Sequence, residues 1–428
     1  MRRINSASKP LKGEVSVDAD KSISHRAVIF SALAQGKSVI KNFLPASDTL
    51  SSCSCLGQLG IKIAARDSEM QVYGRGLTGF SEPHTVLDCG NSGTTMRLMA
   101  GLLSGQLFLS ILNGDESLNQ RPMKRIIEPL GFMGARIQAR ENGNYPPLVI
   151  IGNRLSGLRY QLPVASAQVK SALMLAALNA DSETLLSEPQ KSRDHSERML
   201  TAMGADIAVN GLEIRLKPGK ELQATEFLVP GDISSAAFFM VAASIIPGSE
   251  LLIRHVGVNP SRAGIIEILK EMGARIKLEN ERIISGEPVA DLIVSHSRLQ
   301  AVNLDAAIIP RLIDEIPILA VAMALAEGES TVKGAAELRV KETDRIAAIS
   351  SELAKMGVDI REQPDGFVIK GKPDSLQGAR VNSQGDHRIA MSLAVAALAS
   401  KRESVIEDSE VVNISFPRFW DLLNTVTS

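Results

Sequence analysis

The chain of 428 residues has few cysteines, few aromatic residues and almost no net charge. Its three cysteines, Cys53, Cys55 and Cys89, are an odd number in a long chain, which indicates free thiols in a reducing compartment rather than a disulfide framework. Aromatic residues make up 4% and the formal charge is −1. The sequence therefore lacks the basic surface and stacking platforms of a general nucleic-acid-binding protein. Any anion site has to come from local clusters of Arg and Lys.

Long apolar runs are also missing. Residues 316–326, among the longest, fall well short of the ~20 residues that a membrane helix needs. Residues 1–6 carry two arginines but are not followed by the apolar core of a signal peptide. These absences predict a cytoplasmic protein that has neither a membrane nor a nucleic acid as partner.

Metal-binding and common cofactor motifs are absent from the sequence. The histidines show neither HExxH nor HxH spacing, and Cys53 and Cys55 have no second pair downstream. There is no GxSxG elbow and no GxGxxG following a strand pattern, which weakens hydrolase and dinucleotide interpretations. We therefore predict no metal site and no cofactor.

A phrase recurs along the chain: a helical apolar pattern, then a glycine, then an alternating strand pattern. The glycines are spaced by roughly 70 residues and comprise Gly60, Gly134, Gly204, Gly273 and Gly357. Each is typical of a left-handed helix stop that precedes a strand of a short hairpin. The spacing implies a sixth copy at the C-terminus, with its final helix over residues 417–426. Alternating helices and strands predict an α/β or α+β class.

Six copies divide naturally into two domains of three. The strand pattern at residues 13–17 precedes the first full copy, and we expect it to complete the domain of the C-terminal half. Crossing points near 18–20 and 229–232 then give one lobe of residues 20–232 and a second of residues 1–19 plus 233–428. A site between two such lobes would be a closing cleft.

Polar and cationic residues cluster where helices are predicted to begin, which is where backbone N–H groups favour anions. The segments are Lys21-Ser-Ile-Ser-His-Arg26, Gly90-Asn-Ser-Gly-Thr94, Arg121-Pro122, Ser166-Ala-Gln168, Asp314-Glu315, Arg339-Val-Lys-Glu-Thr-Asp-Arg345 and Asp386-His-Arg388. Each segment alone is also what a capped helix with solvated charges shows. Arg193-Asp194-His195 resembles a surface turn with an ion pair.

Two of these segments carry two acids each. On a helix, Lys341 and Arg345 would lie four residues apart and Glu342 and Arg345 three apart, which is either a ladder of surface ion pairs or a site. Asp314 and Glu315 stand inside an apolar stretch, where an unpaired charge is costly.

Taken together and in this order, the segments resemble the 5-enolpyruvylshikimate-3-phosphate synthase family of enolpyruvyl transferases. The resemblance covers nearly the whole chain, and its details resemble the family's second sequence class. It implies an inside-out α/β barrel of two domains, each with three βαβαββ repeats. It also implies transfer of the enolpyruvyl group of phosphoenolpyruvate to the 5-hydroxyl of shikimate 3-phosphate with release of phosphate, in the shikimate pathway to chorismate and the aromatic amino acids.

The resemblance also implies a set of ligands for two polyanionic substrates, which arginine forks and helix N-termini suit. The implied shikimate 3-phosphate ligands are Lys21, Ser22, Arg26, Ser166, Ala167, Gln168, Arg193, Asp314 and Lys341. The implied phosphoenolpyruvate ligands are Lys21, Gly93, Arg121, Gln168, Arg345 and Arg388. The reaction needs a base for the hydroxyl and an acid for the methylene carbon. We assign Asp314 as the base and Glu342 as the acid, with Lys21 serving the leaving phosphate.

Two rival functions remain. UDP-N-acetylglucosamine enolpyruvyl transferase shares the fold and the reaction type, but its first motif ends Lys-Asn where this chain has Lys21-Ser22. It also uses a loop cysteine in a context that Cys89 lacks. A binding or scaffold protein that kept the fold without catalysis is the rival from another class. RNA cyclases with related repeats would need a nucleophilic histidine and a nucleotide site, for which the sequence has no pattern.

Two further expectations follow from the resemblance. Glyphosate occupies the phosphoenolpyruvate site in this family, and Gly93 lacks the methyl group that crowds it in some relatives, so we expect glyphosate to bind and inhibit. Some members carry a Lys just before a Thr-Phe-Pro near the C-terminus, whereas residues 413–417 here are Asn-Ile-Ser-Phe-Pro. That contact is absent or supplied elsewhere. Family habit predicts a monomer.

Overall fold

The computed structural model describes residues 1–66 and 69–428, which divide into two compact units. Met1–Asp18, Pro230–Ile283 and Pro288–Ser428 form the terminal unit, and Ala19–Val229 with Ile284–Glu287 form the central unit. The chain begins in the terminal unit with β1 (Arg2–Ile4) and β2 (Lys12–Val15). Among the described residues, no helix combines the length and apolar character needed to cross a bilayer.

The central unit contains three successive repeats. The first consists of α1 (Lys21–Leu33), β3 (Ala34–Lys41), α2 (Ser47–Gln58), β4 (Lys62–Arg66) and β5 (Glu69–Arg75). The second consists of β6 (Leu87–Asp88), α3 (Gly93–Ser104), β7 (Leu109–Asn113), α4 (Lys124–Phe132), β8 (Arg136–Ala139), the single turn α5 (Arg140–Gly143) and β9 (Tyr145–Ile151). The third consists of β10 (Arg159–Gln161), α6 (Ala167–Ala177), β11 (Thr184–Ser187), α7 (His195–Ala202), β12 (Asp206–Asn210) and β13 (Glu213–Lys217). The last strands, β14 (Leu222–Gln223) and β15 (Glu226–Leu228), return to the first sheet and pair in parallel with β3.

The terminal unit repeats the same order. Its first repeat adds to β2 the elements α8 (Ile233–Ile245), β16 (Glu250–Gly257), α9 (Gly264–Glu271), β17 (Arg275–Ile284) and β18 (Glu287–Ser295). The second consists of β19 (Asn303–Leu304), α10 (Ile316–Leu325), β20 (Gly328–Val332), α11 (Arg345–Lys355), β21 (Asp359–Gln363) and β22 (Gly366–Gly371). The third consists of β23 (Arg380–Asn382), α12 (His387–Leu398), β24 (Ser404–Glu407) and α13 (Phe419–Thr427). Short 3₁₀ helices cover Leu118–Gln120, Ile309–Arg311, Ile313–Glu315, Ala336–Val340 and Ser409–Ile414.

Each complete repeat forms one sheet. Its first two strands pair in parallel across the first helix, and its last two strands close an antiparallel hairpin, as β6 to β9 do. The sixth copy has no closing hairpin of its own, and β1 takes that place by pairing antiparallel with β24, Arg2 opposite Ile406. Likewise β2 pairs in parallel with β16, so the predicted N-terminal strand does complete the C-terminal half, over Lys12–Val15 rather than 13–17. The predicted α/β fold of βαβαββ repeats is confirmed.

The recurring glycines end helices as predicted. All five have positive φ, between +84° and +96°, a backbone conformation that glycine adopts without the strain of a Cβ. Each is followed within two residues by an outer strand of its repeat. The last copy ends instead in α13, two residues later than the predicted helix start at residue 417.

The first helix of each repeat is almost entirely buried. In the central unit these helices are α1, α3 and α6, and in the terminal unit α8, α10 and α12. Their apolar and small residues form the centre of each unit's core, with the sheets packed around them. The second helices, such as α9 and α11, keep a polar outer face. The charged side chains and histidines of these helices lie within the first six residues, which is where the candidate site residues lie.

Candidate active site

Helix α1 of the central unit presents three predicted ligands at its start. Asp20 caps the helix by accepting a hydrogen bond from the Ile23 amide at 2.8 Å. The Lys21 ammonium pairs with Asp48 at 3.1 Å, and Ser22 follows it. Arg26 lies one turn further on and is 3% exposed. The sequence thus places two cations beside the free N–H groups of a helix start, an arrangement that attracts anions.

Arg26 is a buried cation whose hydrogen-bond partners, within the described residues, are uncharged. Its Nε donates to Ser196 Oγ at 2.8 Å, Nη2 to Ser171 Oγ at 2.8 Å, and Nη1 to the carbonyl of Ser22 at 3.0 Å. Burial first, and then the positive charge of Arg193, lower the pKa of Arg26 to about 10. An anionic ligand would relieve both effects, because an opposite charge stabilises the protonated guanidinium.

Helices α3 and α6 also bring predicted ligands together at their N-termini. Gly93 is the first residue of α3, and Gln168 is the second residue of α6. Gln168 joins the two helices, because its side-chain amide donates to Thr94 Oγ1 at 2.9 Å and accepts from Arg97 Nη1 at 2.5 Å. Arg121 donates to the carbonyl of Asn91 at 3.2 Å, which holds it against the loop before α3.

Ser166 and Ala167 occupy the cap of α6. The Ser166 hydroxyl accepts a hydrogen bond from the Val169 amide at 3.4 Å and is the N-cap. Ala167 is the first residue of the helix, and its apolar side chain leaves only backbone groups for a ligand. The structure therefore shows the capping role of Ser166, which is compatible with a hydroxyl that also faces a ligand.

The interpretation of Arg193-Asp194-His195 as a surface turn is wrong. Asp194 and His195 are buried, and α7 begins at His195 and packs against α1. The His195 Nδ1 lies 2.8 Å from Glu287 Oε1, and Asp194 accepts from Arg198 at 3.0 Å. Because this segment starts the second helix of a repeat, tertiary packing covers charges that look solvated in the sequence.

In the terminal unit, Arg345 is the centre of a cluster of carboxylates. Its Nε pairs with Asp386 at 2.7 Å, Nη1 with Asp314 at 3.2 Å and Nη2 with Glu342 at 2.6 Å. The side chain is 1% exposed. Burial disfavours its charge, but Asp386, Glu342 and Asp314 outweigh burial and raise the pKa of Arg345 above its ordinary value. The proposed acid and the proposed base thus share one guanidinium.

The prediction that Lys341, Glu342 and Arg345 lie on one helix is wrong. Helix α11 begins only at Arg345, and Asp344 is its N-cap, accepting from the Ala347 amide at 3.1 Å. Lys341 and Glu342 lie in the bend between the 3₁₀ helix Ala336–Val340 and α11. The Glu342–Arg345 contact is nevertheless present, because the bend turns Glu342 back to the helix start.

Two more arginines surround Asp314. Arg388, in the first turn of α12, donates to the Asp314 carbonyl at 3.2 Å and lies 3.8 Å from its carboxylate. Arg262, 3% exposed, lies 3.7 Å from the same carboxylate and pairs with Asp232 at 3.3 Å. Glu315 completes the group at 3.8 Å from Arg262. The acids in the apolar stretch are therefore paired, as their burial requires.

Sequence reasoning missed Arg97, Arg262 and Asp386 as parts of the site. Asp386 stands inside a segment that the sequence singles out and Arg97 three residues after another, so their positions near helix starts were an available signal. Arg262 lies in a loop between β16 and α9, far from every such segment, and no local pattern identifies it. Among residues 1–66 and 69–428, no group of His, Cys, Asp and Glu side chains has the arrangement of a metal site.

Comparison with known proteins gives one consistent result. Residues 6–423 match the family described as EPSP synthase (3-phosphoshikimate 1-carboxyvinyltransferase). A 3-phosphoshikimate 1-carboxyvinyltransferase of Syntrophomonas wolfei subsp. wolfei is 91% identical over 428 residues, covering all of both chains. The protein of the same name from Brevibacillus brevis is 51% identical and covers 99% of each. The solved structure of EPSP synthase from Acinetobacter baumannii has a TM-score of 0.89 and 44% identity, covering 99% of this chain and 97% of that one.

Proposed function

Because the chain belongs to the EPSP synthase family, we propose that it is a 3-phosphoshikimate 1-carboxyvinyltransferase. It transfers the enolpyruvyl group of phosphoenolpyruvate to the 5-hydroxyl of shikimate 3-phosphate by addition and elimination. The observation that carries the mechanism is the position of Arg345, which contacts both Asp314 and Glu342. One binding arginine thus lies beside both groups that the reaction needs as base and acid.

Most of the proposed shikimate 3-phosphate ligands belong to the central unit. Arg26 offers a buried guanidinium with uncharged partners, and Ser166 and Gln168 stand at the start of α6. Arg193 adds positive charge near Arg26, as its effect on the Arg26 pKa indicates. Lys21, Ser22, Ala167, Asp314 and Lys341 complete the proposed ligand set. Charge-assisted hydrogen bonds of this kind are the strong ones, and they account for selection of a phosphorylated carboxylate.

The proposed phosphoenolpyruvate ligands are mainly cations. Lys21, Arg121, Arg345 and Arg388 are its proposed ligands, with the Gly93 amide at the start of α3. Gln168 is proposed to contact both substrates. Glycine at this position suits the role, since an N–H at a helix start can approach an anion closely when no side chain intervenes.

Binding of phosphoenolpyruvate also explains how Glu342 becomes an acid. Arg345 contacts three carboxylates, whose exposed side-chain fractions are 0% for Asp386, 13% for Asp314 and 21% for Glu342. Glu342 is the most exposed of the three and the easiest to displace. An incoming anion that takes its place on Arg345 removes a cation from Glu342 and adds a negative charge nearby. Both changes favour the protonated carboxyl group.

The proposed reaction has two steps, addition and elimination. Asp314 accepts the proton of the 5-hydroxyl while that oxygen bonds to carbon 2 of phosphoenolpyruvate. Glu342 gives a proton to carbon 3, which becomes a methyl group. In the second step carbon 3 returns a proton to Glu342, the carbon–oxygen bond to phosphate breaks, and the alkene is restored. Lys21 stabilises the charge on the departing phosphate.

Release of inorganic phosphate tests the proposal. The purified protein is mixed with phosphoenolpyruvate and either shikimate 3-phosphate or UDP-N-acetylglucosamine. We expect release with shikimate 3-phosphate alone. Release only with the nucleotide sugar would establish the alternative substrate of the same fold. Release with neither would favour a binding protein without catalysis.

We further propose that the protein is a cytoplasmic monomer and that glyphosate competes with phosphoenolpyruvate. Gly93 supports the last point, because a methyl group at this position would lie 2.8 Å from Arg97 Nη1 and 3.6 Å from Arg121 Nη1, next to the proposed ligands of the small anion. Inhibition is measured with shikimate 3-phosphate saturating, and its absence at millimolar glyphosate would reject the proposal. Size-exclusion chromatography with light scattering tests the monomer.

A further inference from the structure

A charged network lies in the core of the central unit, outside the set of proposed ligands. Lys170, on the buried helix α6, pairs with Glu188 at 2.9 Å and with Glu197 at 2.7 Å. The three side chains are 1%, 2% and 6% exposed. Ser192 donates a hydrogen bond to Glu188. A lysine with two glutamates leaves one negative charge in excess.

Stability alone does not explain why these three charged side chains are buried together. Removing charges from water costs several kcal/mol per ion, and apolar residues of similar volume often give an equal or greater stability. The neighbours of Lys170 on α6 are Val169, Ala172, Leu173 and other buried apolar residues. Uncharged side chains in place of all three residues would suit these surroundings, so the charged group calls for another explanation.

Two residues of the network adjoin, in sequence, the two serines whose hydroxyls accept hydrogen bonds from Arg26. Lys170 is followed on α6 by Ser171, and Glu197 is preceded on α7 by Ser196. The Lys170–Glu197 contact therefore fastens α6 to α7 next to the two hydroxyls, whose oxygens lie 2.7 Å apart. Both hydroxyls accept from the Arg26 guanidinium at 2.8 Å.

The hydrogen-bond directions around these hydroxyls are fully determined. Arg26 can only donate, so both serine oxygens accept from it. The Ser171 hydroxyl donates its one proton to the Ala167 carbonyl at 2.6 Å. The Ser196 hydroxyl therefore donates to Ser171. The hydrogen bonds therefore run in one direction, from Arg26 through Ser196 and Ser171 to the Ala167 carbonyl. Hydrogen bonds in such a chain strengthen one another when every donor and acceptor is paired.

We infer that Lys170 is a positioning residue for shikimate 3-phosphate. By bridging α6 to α7 through Glu197, it sets the spacing of Ser171 and Ser196, and this pair fixes the plane of the Arg26 guanidinium toward the substrate anion. The inference rests on the proposed function, because it assigns Arg26 to shikimate 3-phosphate. Glu188 balances charge and does not adjoin either serine, so its contribution to substrate affinity is small.

The test uses variants that separate position from charge. Lys170→Met alone leaves two buried carboxylates unpaired and is expected to unfold readily. The informative variant is Lys170→Met/Glu188→Gln/Glu197→Gln, which removes all three charges and keeps the volumes close. It eliminates one net negative charge, which by itself would strengthen anion binding. Glu188→Gln, which keeps the Lys170–Glu197 bridge, is the matched control.

Calorimetry of shikimate 3-phosphate binding and steady-state kinetics provide the measurements, at a temperature well below each variant's unfolding midpoint. We expect the triple variant to bind shikimate 3-phosphate about tenfold more weakly, the effect of misplacing one charge-assisted hydrogen bond. Its KM for phosphoenolpyruvate and its kcat at saturating shikimate 3-phosphate stay close to the wild type. Glu188→Gln binds within about twofold of the wild type.

Two results would overturn the inference. One is a folded triple variant that binds shikimate 3-phosphate as tightly as the wild type or more tightly. The other is a Glu188→Gln variant that loses as much affinity as the triple variant. If the wild-type protein itself fails to bind shikimate 3-phosphate, the proposed function fails instead, so the two failures are distinguishable.

Discussion

The Cα of Gly93 lies so close to Arg97 that a methyl group built on it would stand 2.8 Å from Arg97 Nη1. The same methyl group would lie 3.6 Å from Nη1 of Arg121, a proposed phosphoenolpyruvate ligand. Gly93 is the first residue of α3 and its φ is not positive, so alanine fits the backbone there. The conflict is therefore with the end of the Arg97 side chain, which has to move, while Arg121 comes into van der Waals contact with the methyl group.

Gly93→Ala should weaken binding at the phosphoenolpyruvate site without unfolding the protein. Because the methyl group displaces Arg97 and crowds Arg121, we expect the KM for phosphoenolpyruvate to rise about tenfold and glyphosate inhibition to weaken by at least as much. Steady-state kinetics with shikimate 3-phosphate saturating measure both effects. Gly131→Ala is the control, since a methyl group there meets nothing within 4 Å. Unchanged glyphosate sensitivity in Gly93→Ala would contradict this account.

Glu342→Gln tests the proposed acid. Glutamine keeps the size of the side chain but has no proton of suitable acidity for carbon 3, so kcat should fall by about 10²- to 10⁴-fold. Binding of phosphoenolpyruvate should be as tight as in the wild type or tighter, since glutamine competes less strongly than a carboxylate for Arg345. Glu362→Gln removes a comparable carboxylate that pairs with Arg339 at 2.9 Å on the surface, and it should retain full turnover. Near-normal turnover of Glu342→Gln would assign the acid to another group.

The helix starts of the site were readable from the sequence because their caps are local. Asp20, Ser92, Ser166 and Asp386 each accept a backbone N–H within three residues, and each stands where the pattern predicts a helix to begin. The repeat was readable for the same reason, since a left-handed glycine acts within a few residues of its own position.

The pairing of charges was not readable, because it depends on contacts between distant segments. Arg345 meets Asp314 and Asp386 from 31 and 41 residues away. The error at Lys341 has a local cause: the Asp344 side chain caps α11, so the residues before it cannot continue the helix. The three-residue spacing of Glu342 and Arg345 matches a helix, but a bend brings these two side chains together instead.

The buried His25 predicts a loss of stability in weak acid. Burial first, then the charges of Lys21 and Arg26, hold the pKa of His25 well below its ordinary value. Below pH 6.5 the unfolded chain takes up a proton at this histidine that the folded protein does not. The free energy of unfolding therefore falls as pH falls, by about 1.4 kcal/mol per pH unit from this group, until the folded pKa is reached.

Urea unfolding at pH 7.0 and pH 5.5 measures this dependence. His25→Asn keeps a polar group near Ser52, which lies 2.9 Å from the histidine Nδ1, and it should reduce the difference between the two pH values. His84→Asn at an exposed position should leave the difference as in the wild type. The same pH dependence in His25→Asn as in the wild type would exclude this histidine as a cause.

Arg262 should be far more important for stability than a surface arginine. Arg262→Met removes a buried cation that lies 3.3 Å from Asp232 and 3.8 Å from Glu315, both of them buried, and we expect a loss of about 3–5 kcal/mol in the free energy of unfolding. Arg311→Met breaks a 2.7 Å pair with Glu267 at the surface and should cost less than about 1 kcal/mol. Equal losses in urea unfolding would mean that the Arg262 pairs contribute no more than an exposed pair does.

The use of β1 and β2 to complete sheets of the terminal unit sets an order for folding during synthesis. The first strands to leave the ribosome have partners, β24 and β16, that are made far later. Ala19–Val229 is continuous and contains all of the central unit except Ile284–Glu287, so most of this unit can fold while the rest is still being translated. Meanwhile β2 has to stay unpaired until Glu250–Gly257 has emerged and β1 until Ser404–Glu407 has emerged, and closing such long loops is slow. We therefore expect β1 and β2 to be the segments that a nascent-chain chaperone binds for longest.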